Sequence, residues 1–365
     1  MADLLVTGGS CEVAIVDGRI AAAPGAGDRF DATGLHVLPG FLDLQVNGAA
    51  GIDLTREPER LWEVAAVLPR FGVTAFLPTV ITSAPAQRER ALATLAAGPP
   101  EGWTGAVPIG LHLEGPLIAP ARKGAHPESW LRPPVPEIAD GWSRDAGVAM
   151  VTLAPELPGA LDLVDTLVAR GVVVAVGHTE ATAVQVRTAA DRGARALTHL
   201  GNAMPPLGGR SPGPVGAALA DGRLVAGVIA DGHHLDDTTL AAYAAALGDR
   251  LLLVTDTTAA LGMPDGPARL GEQEVEVRDG TVRLADGTLA GSAADLAQCL
   301  RVLRRATGRS LADAVAACTS VPAALLGDPD RGRLSPGSRG DLTLVDDDLR
   351  VVATVVGGRL LHGGT

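Results

Sequence analysis

Short apolar runs alternate with helical stretches through most of this 365-residue chain. Eight runs have the length and content of buried strands: Leu42–Val46, Val73–Pro78, Val107–Leu113, Val148–Leu153, Val172–Val176, Ala196–Thr198, Val225–Ile229 and Leu251–Val254. Helices are predicted at Pro58–Phe71, Ala84–Ala97, Gly159–Arg170, Ala183–Arg192, Thr238–Ala246 and Ala293–Thr307. Such alternation is typical of βαβ units, and about eight units predict a closed (β/α)8 TIM barrel. The alternative, an open doubly wound sheet, would normally show a glycine-rich phosphate loop after its first strand, and none is evident.

The two ends of the chain have a different pattern, in which apolar and polar residues alternate as in exposed strands. Asp17-Gly18 and Gly357-Gly358 are typical of tight hairpin turns at these ends. Each end is too short to fold alone, so residues 1–37 and 336–365 are predicted to pair into one small β-sandwich domain. Residues 38–335 then form the barrel domain, with an inserted hairpin at Gln273–Ala290 after the eighth strand.

Composition narrows the possible functions. Aromatic residues make up only 2% of the chain and the net charge is −12, which argues against stacking on single-stranded nucleic acid and against binding to DNA or a membrane surface. The odd, widely spaced Cys11, Cys299 and Cys318 are typical of reduced thiols in the cytoplasm. No apolar stretch is long enough to span a membrane, so we expect a cytoplasmic protein with a small-molecule substrate.

Polar side chains cluster just past the predicted strand ends. They are Gln45, Asn47, Glu114, His178, His199, His234 and Asp256. In a barrel the carboxyl ends of the strands converge on one face, and that face carries the active site. We therefore expect these residues to share one cavity.

Glu114, His178 and His199 form a plausible set of three ligands for a catalytic metal, because one carboxylate and two imidazoles leave a position for water. Asp256 suits a base that takes the proton of that water and returns it to a leaving amine. Taken singly, each residue has an ordinary interpretation: a salt-bridged carboxylate, hydrogen-bonded histidines, or a helix cap at Asp256. Their joint placement at strand ends favours the metal site.

Several segments, in this order, resemble the N-acetylglucosamine-6-phosphate deacetylases of the amidohydrolase superfamily. They are residues 39–48 (PGFLDLQVNG), 112–116 (HLEGP), 123–127 (KGAHP), 177–179 (GHT), 198–204 (THLGNAM), 229–234 (IADGHH), 254–256 (VTD) and 289–292 (LAGS). The resemblance runs through nearly the whole chain. It implies that Glu114, His178 and His199 hold a metal, and that Asp256 is the general base and acid in removal of the acetyl group from an amino-sugar 6-phosphate.

The same resemblance implies further roles. His126 would polarise the acetamide carbonyl, and the backbone near Asn202 and Ala203 would approach the sugar. His234, rather than the adjacent His233, and Arg210 would hold the phosphate, and the fork of arginine suits that task. In the family this arginine reaches across from a second subunit, which implies a homodimer.

Gln45 and Asn47 stand where many amidohydrolases have the His-x-His that helps to bind a second metal. Amides are weak ligands for zinc-like ions, so one divalent metal per chain is expected, with zinc first and iron, cobalt or manganese as alternatives. Both amides are expected near the substrate. Two other functions stay open: an amidohydrolase acting on another N-acetyl sugar or a cyclic amide, and a non-catalytic sugar-phosphate binding protein.

Overall fold

A computed structural model describes residues 3–23, 25 and 27–363. In chain order its strands are β1 (Leu4–Thr7), β2 (Val13–Val16), β3 (Arg19–Ala21), β4 (Asp28–Asp31), β5 (His36–Pro39), β6 (Phe41–Val46), β7 (Gly48–Ala49), β8 (Ile52–Asp53), β9 (Val73–Ile81), β10 (Val107–Pro108), β11 (Leu111–Glu114), β12 (Val148–Leu153), β13 (Val173–Val176), β14 (Ala196–Leu197), β15 (Val225–Ile229), β16 (Leu251–Val254), β17 (Gly266–Leu270), β18 (Gln273–Arg278), β19 (Thr281–Arg283), β20 (Leu289–Ser292), β21 (Leu342–Val345), β22 (Val351–Val356) and β23 (Arg359–His362). The α-helices are α1 (Leu61–Val67), α2 (Pro85–Ala97), α3 (Ala160–Ala169), α4 (Ala183–Asp191), α5 (Gly213–Ala220), α6 (Asp237–Leu247), α7 (Leu296–Thr307), α8 (Leu311–Val315) and α9 (Ser320–Leu325).

The parallel strands β6, β9 and β11 to β16 form the (β/α)8 barrel that the sequence predicts. Their inward side chains fill the barrel with small and branched aliphatic groups, among them Leu44, Leu77, Ala175, Ile229 and Leu252. A larger apolar cluster lies between the strands and the surrounding helices. The barrel is therefore a packed scaffold whose carboxyl-end loops are free to carry chemistry.

The first and last barrel strands, β6 and β16, meet at a seam that is joined by hydrogen bonds from both backbone and side chains. Asn47 donates its backbone N–H to the carbonyl of Thr257 at 2.8 Å. Below it, Oδ2 of the buried Asp43 accepts a hydrogen bond from the Thr255 hydroxyl at 2.6 Å, and Oδ1 accepts the backbone N–H of Thr255 at 3.3 Å and of Gln45 at 3.2 Å. Asp43 thus ties the strand of Gln45 and Asn47 to the strand that leads to Asp256.

The chain ends form two four-stranded sheets, β3-β2-β1-β4 and β23-β22-β21-β5. They enclose a separate small core that includes Val6, Ile15, Val37, Leu344 and Val355. The terminal segments therefore build a β-sandwich beside the barrel, as the sequence predicts. The boundaries at 37 and 336 stay predictions.

Three features differ from the simple alternation read from the sequence. The loop after β11 contains 3-10 turns at Pro120–Arg122, Glu128–Trp130 and Pro136–Ala139 where a helix of a regular unit would lie. Repeated prolines explain this, because proline cannot continue a helix. Helices α5, α8 and α9 are additional to the predicted helices, and the Pro212-Gly213-Pro214 start of α5 is typical of a loop. The predicted hairpin is part of a larger four-stranded antiparallel sheet, β17 to β20, which we call the hairpin sheet.

In the described part of the chain, no helix has the length and apolar character needed to cross a bilayer.

Candidate active site

Three side chains with metal-binding atoms meet at the carboxyl ends of β11, β13 and β14. Nε2 of His178 lies 3.2 Å and Nε2 of His199 lies 3.0 Å from Oε1 of Glu114, and the two nitrogens are 3.1 Å apart. All three side chains are buried. These separations approach the ~3.3 Å edge of a tetrahedron built on metal–ligand bonds of about 2.0 Å.

The hydrogen bonding of His178 also fits a metal ligand. Its Nδ1 donates to the carbonyl oxygen of Arg122 at 2.7 Å, which leaves the Nε2 lone pair directed at Glu114. A metal-bound histidine is commonly oriented in this way by a bond to its other nitrogen. Glu114, His178 and His199 are therefore a set of ligands that suits one divalent metal.

Backbone conformation aims several of these side chains. His178, His199 and Asp256 all have positive φ angles, of 48°, 29° and 52°. Each comes two residues after its strand ends, at the turn into the following loop. A left-handed residue costs free energy outside glycine, and such residues concentrate at functional sites. Here these turns bring His178, His199 and Asp256 to the wall of one cavity.

Asp256 accepts hydrogen bonds from two amides, one in β6 (Gln45) and one just after it (Asn47). Its Oδ1 accepts hydrogen bonds from Nδ2 of Asn47 at 2.7 Å and from Nε2 of Gln45 at 3.0 Å. The same Gln45 nitrogen lies 3.1 Å from Oε1 of Glu114, so one amide bridges the candidate base and a candidate ligand. Burial, followed by the charge of Glu114, raises the pKa of Asp256 to about 7. A cation at Glu114 would offset part of this increase.

His126 is held as a neutral hydrogen-bond donor. Its Nδ1 accepts the backbone N–H of Thr82 at 3.3 Å and lies 2.8 Å from the Thr82 hydroxyl. Since the backbone N–H can only donate, Nδ1 carries no proton, and the ring proton is on Nε2. Burial, and then the neighbouring His178, lower the pKa of His126 to about 3. The ring lines the cavity, so it suits donation to a carbonyl oxygen.

A cavity of about 340 Å³ opens above this cluster. It is lined by most of the residues that the sequence singled out: Asn47, Glu114, His126, His178, His199, Asn202, Ala203, His234 and Asp256. Gln45 does not line the cavity itself, but its side-chain amide contacts Asp256 and Glu114, which do. Arg210 is exposed in the loop before α5 and does not line the cavity of its own chain.

Sequence reasoning missed several residues that shape the site. Asp231 is buried, and its Oδ2 lies 2.7 Å from Nδ1 of His234. It belongs to the Asp-Gly-His-His segment, which was a usable signal. Asp43 lies in the segment 39–48 that resembles the family, which was a similar signal, whereas Thr82 lies in none of these segments. The hairpin sheet adds Leu270 and residues 288–291 to the cavity wall.

A (β/α)8 barrel that gathers a carboxylate, two imidazoles and a second carboxylate at its strand ends defines a metal-dependent hydrolase class. The chain belongs to the amidohydrolase family, which matches residues 36–361.

Named relatives narrow the comparison. The chain is 38% identical over 354 residues to a rat N-acetylglucosamine-6-phosphate deacetylase, covering 92% of this chain and 86% of that one. It is 37% identical over 361 residues to an N-acetylgalactosamine-6-phosphate deacetylase of Escherichia coli O157:H7, covering 96% and 94%. A solved mutant of the Mycobacterium smegmatis N-acetyl-D-glucosamine-6-phosphate deacetylase, in complex with N-acetyl-D-glucosamine-6-phosphate, is similar with a TM-score of 0.89 and 34% identity, covering 99% of each chain.

Proposed function

We propose that this chain hydrolyses the acetamide of N-acetylglucosamine-6-phosphate to glucosamine-6-phosphate and acetate. The observation that carries the proposal is the convergence of Glu114, His178 and His199 with Asp256 and His126 in one cavity. Relatives that match nearly the full length of the chain, and that are named for this activity, support the choice of substrate.

Glu114, His178 and His199 would hold the metal, with zinc expected first and iron, cobalt or manganese as alternatives. When bound, a divalent ion supplies Lewis acidity that lowers the pKa of water and polarises a carbonyl. Asp256 takes a proton from the attacking water and later delivers it to the nitrogen that leaves. His126 donates its Nε2–H to the carbonyl oxygen, where negative charge develops in the transition state.

We further propose that His234 binds the phosphate, together with Arg210 of a second copy in a homodimer. Arg210 is exposed and outside the cavity of its own chain, as a residue acting on a partner's site must be. Mixing Arg210→Ala with Asp256→Asn subunits tests this, because a mixed dimer has one site with both residues only when Arg210 acts across the interface. Random mixing should then restore about a quarter of the wild-type activity. Recovery no greater than the sum of the two variants would refute the shared site.

An acetate-release assay on N-acetylglucosamine-6-phosphate tests the function itself. We expect activity that is lost with chelator and restored by added zinc. The unphosphorylated sugar should be a much poorer substrate, and equal efficiency on both would remove His234 and Arg210 from their proposed role. Absence of acetate release from the metal-loaded protein would refute the proposal.

N-acetylgalactosamine-6-phosphate is a second candidate substrate. The similarity to the N-acetylgalactosamine-6-phosphate deacetylase of Escherichia coli O157:H7 favours it. That relative is 37% identical over 96% of this chain, against 38% over 92% for the rat N-acetylglucosamine-6-phosphate deacetylase. The two sugars differ only at the C4 hydroxyl, so parallel measurements of kcat/KM on both decide between them.

A further inference from the structure

The active-site cavity has one continuous apolar wall. Ile81, Ala125, Leu270 and Ala290 line the cavity and are buried together in one hydrophobic cluster. Val275, Val277 and Val282 of the hairpin sheet pack in the same cluster. The wall is therefore backed by a small core and not by a loop that could move aside.

The wall is attached to the chain segments that carry His126 on one side and to Asp256 on the other. Ala125 directly precedes His126, and Ile81 directly precedes Thr82, which holds His126. At the other side, Ser292 donates its backbone N–H to the carbonyl of Asp256 at 2.9 Å, and a Cβ at Gly291 would lie 3.8 Å from Oδ2 of Asp256. The apolar surface thus spans the space between the two proposed catalytic side chains.

A buried carboxylate fixes the position of Leu270. Oδ2 of Asp53, in β8, accepts the backbone N–H of Gly271 at 2.7 Å, and Oδ1 accepts those of Thr55 and Arg56. This bond attaches the β17–β18 turn to the loop after the first barrel strand. Gly271 is packed so closely that an added Cβ would lie 3.2 Å from Cδ1 of Ile81.

The barrel topology places the polar part of the cavity on the opposite side. Ile81 ends the second barrel strand, whereas Asn202 and Ala203 follow the sixth, four positions around a ring of eight. His234 follows the seventh. The carbonyl carbon of an acetamide bears three groups: an oxygen, a nitrogen and a methyl group. With the oxygen at His126 and the nitrogen toward the sugar side, the methyl group is left facing Ile81 and Leu270.

We propose that the wall formed by Ile81, Ala125, Leu270 and Ala290 is the acyl-binding surface and limits the enzyme to short N-acyl groups. The inference rests on the proposed function and adds to it the residues that select the acyl chain. A hydrophobic pocket discriminates one methylene by about 10- to 200-fold, so wild-type kcat/KM should fall by that order from the N-acetyl to the N-propionyl sugar phosphate.

Variants that change the size of the wall test the proposal in both directions. Ile81→Ala and Leu270→Ala should each raise the propionyl-to-acetyl ratio of kcat/KM at least about tenfold, by making room for one more methylene. Ala290→Val should act in the opposite sense and lower kcat/KM for the N-acetyl substrate relative to the N-formyl substrate. Ile229→Ala is the matched control, because Ile229 also lines the cavity but belongs to the barrel-interior cluster. It should leave both ratios unchanged, whatever it does to the absolute rate.

The outcomes separate this inference from the function on which it rests. If the Ile81→Ala and Leu270→Ala enzymes are both active and keep the wild-type propionyl-to-acetyl ratio, the proposed acyl-binding wall is overturned. The proposed deacetylase function would still stand. An Ile229→Ala enzyme that shifts the ratio as much as Ile81→Ala would overturn it too. Failure of the wild-type protein to release acetate would instead overturn the proposed function, and the acyl wall with it. If the alanine variants do not fold, the formyl-to-acetyl ratio of Ala290→Val decides.

Discussion

Asp231 and His234 form a buried pair in which Oδ2 of the carboxylate lies 2.7 Å from Nδ1 of the imidazole. Oδ1 of Asp231 also accepts the backbone N–H groups of His233 and His234, at 2.8 and 2.9 Å. The ring is therefore fixed from the side away from the cavity, and its Nε2 is the nitrogen left for a ligand. Asp231 thereby sets the orientation in which His234 presents this nitrogen to the cavity.

Asp231→Asn is expected to weaken binding of the phosphorylated substrate. The amide keeps one acceptor oxygen for the backbone but removes the charged partner that holds Nδ1 of His234, so the ring is positioned less firmly. A hydrogen bond to a charged group contributes about 1.5–3 kcal/mol, so KM should rise roughly 10- to 100-fold with a smaller change in kcat. Steady-state kinetics on the phosphorylated and unphosphorylated sugars measure the effect.

Asp236→Asn is the control for the loss of charge. Asp236 is an exposed N-cap of α6 near the same loop, and asparagine caps a helix equally well. It should behave as wild type. Equal losses by Asp231→Asn on the phosphorylated and unphosphorylated sugars would contradict a role directed at phosphate.

Glu114→Gln should abolish metal retention. The carboxylate is the only anionic member of the three-ligand cluster, and a neutral amide is a poor ligand for zinc-like ions. The metal content of the dialysed protein, measured by metal analysis, should fall from about one ion per chain to a small fraction, with a corresponding loss of activity. Glu180→Gln serves for comparison, because Glu180 pairs with Arg122 outside the cluster. If Glu114→Gln keeps a full metal complement, the ligand assignment is wrong.

Asp256→Asn should separate metal binding from turnover. Its side chain is hydrogen-bonded by Asn47 and Gln45 and is not one of the three clustered ligands, so the variant should retain metal. Without a group that carries the proton from water to the leaving nitrogen, kcat should fall by about 10²- to 10⁴-fold. Metal analysis and acetate release on the same preparation provide both readouts. A rate equal to that of the wild type would exclude Asp256 as the base.

The barrel was predictable because its pattern is local. Eight apolar runs occur at nearly the positions of the eight strands, and the polar residues after them share a face by topology alone. The contacts that hold the site were not predictable in the same way. Thr82 meets His126 across 44 positions, and Asp43 meets Thr255 across 212, so neither pair has a signature in sequence spacing. The apolar wall was missed because Leu270 and Ala290 have the alternating pattern of any exposed hairpin.

The seam carboxylate Asp43 provides a prediction for stability that is independent of catalysis. Burial raises its pKa to about 6, although hydrogen bonds from Thr255 and Gln45 oppose the increase, whereas an unfolded aspartate has a pKa near 3.9. The unfolded chain therefore loses this proton first as the pH rises. The stability that the protonated group contributes is fully present below about pH 4, falls as the pH rises and is lost above about pH 6. The difference between the folded and unfolded pKa values corresponds to about 3 kcal/mol in the free energy of unfolding.

Asp43→Asn removes this titration, so the difference in unfolding free energy between wild type and variant should change between about pH 4 and about pH 6. The wild type should lose stability relative to the variant as the pH rises, since only the wild type must ionise a buried group. Urea unfolding at several pH values measures the difference, and effects common to both proteins, including metal release, cancel. Asp286→Asn should give a flat difference, because hydrogen bonds from Thr288 lower the pKa of this exposed aspartate instead of raising it. Parallel curves for wild type and Asp43→Asn would mean that the seam carboxylate is ionised throughout, with Thr255 and Gln45 compensating its burial in full.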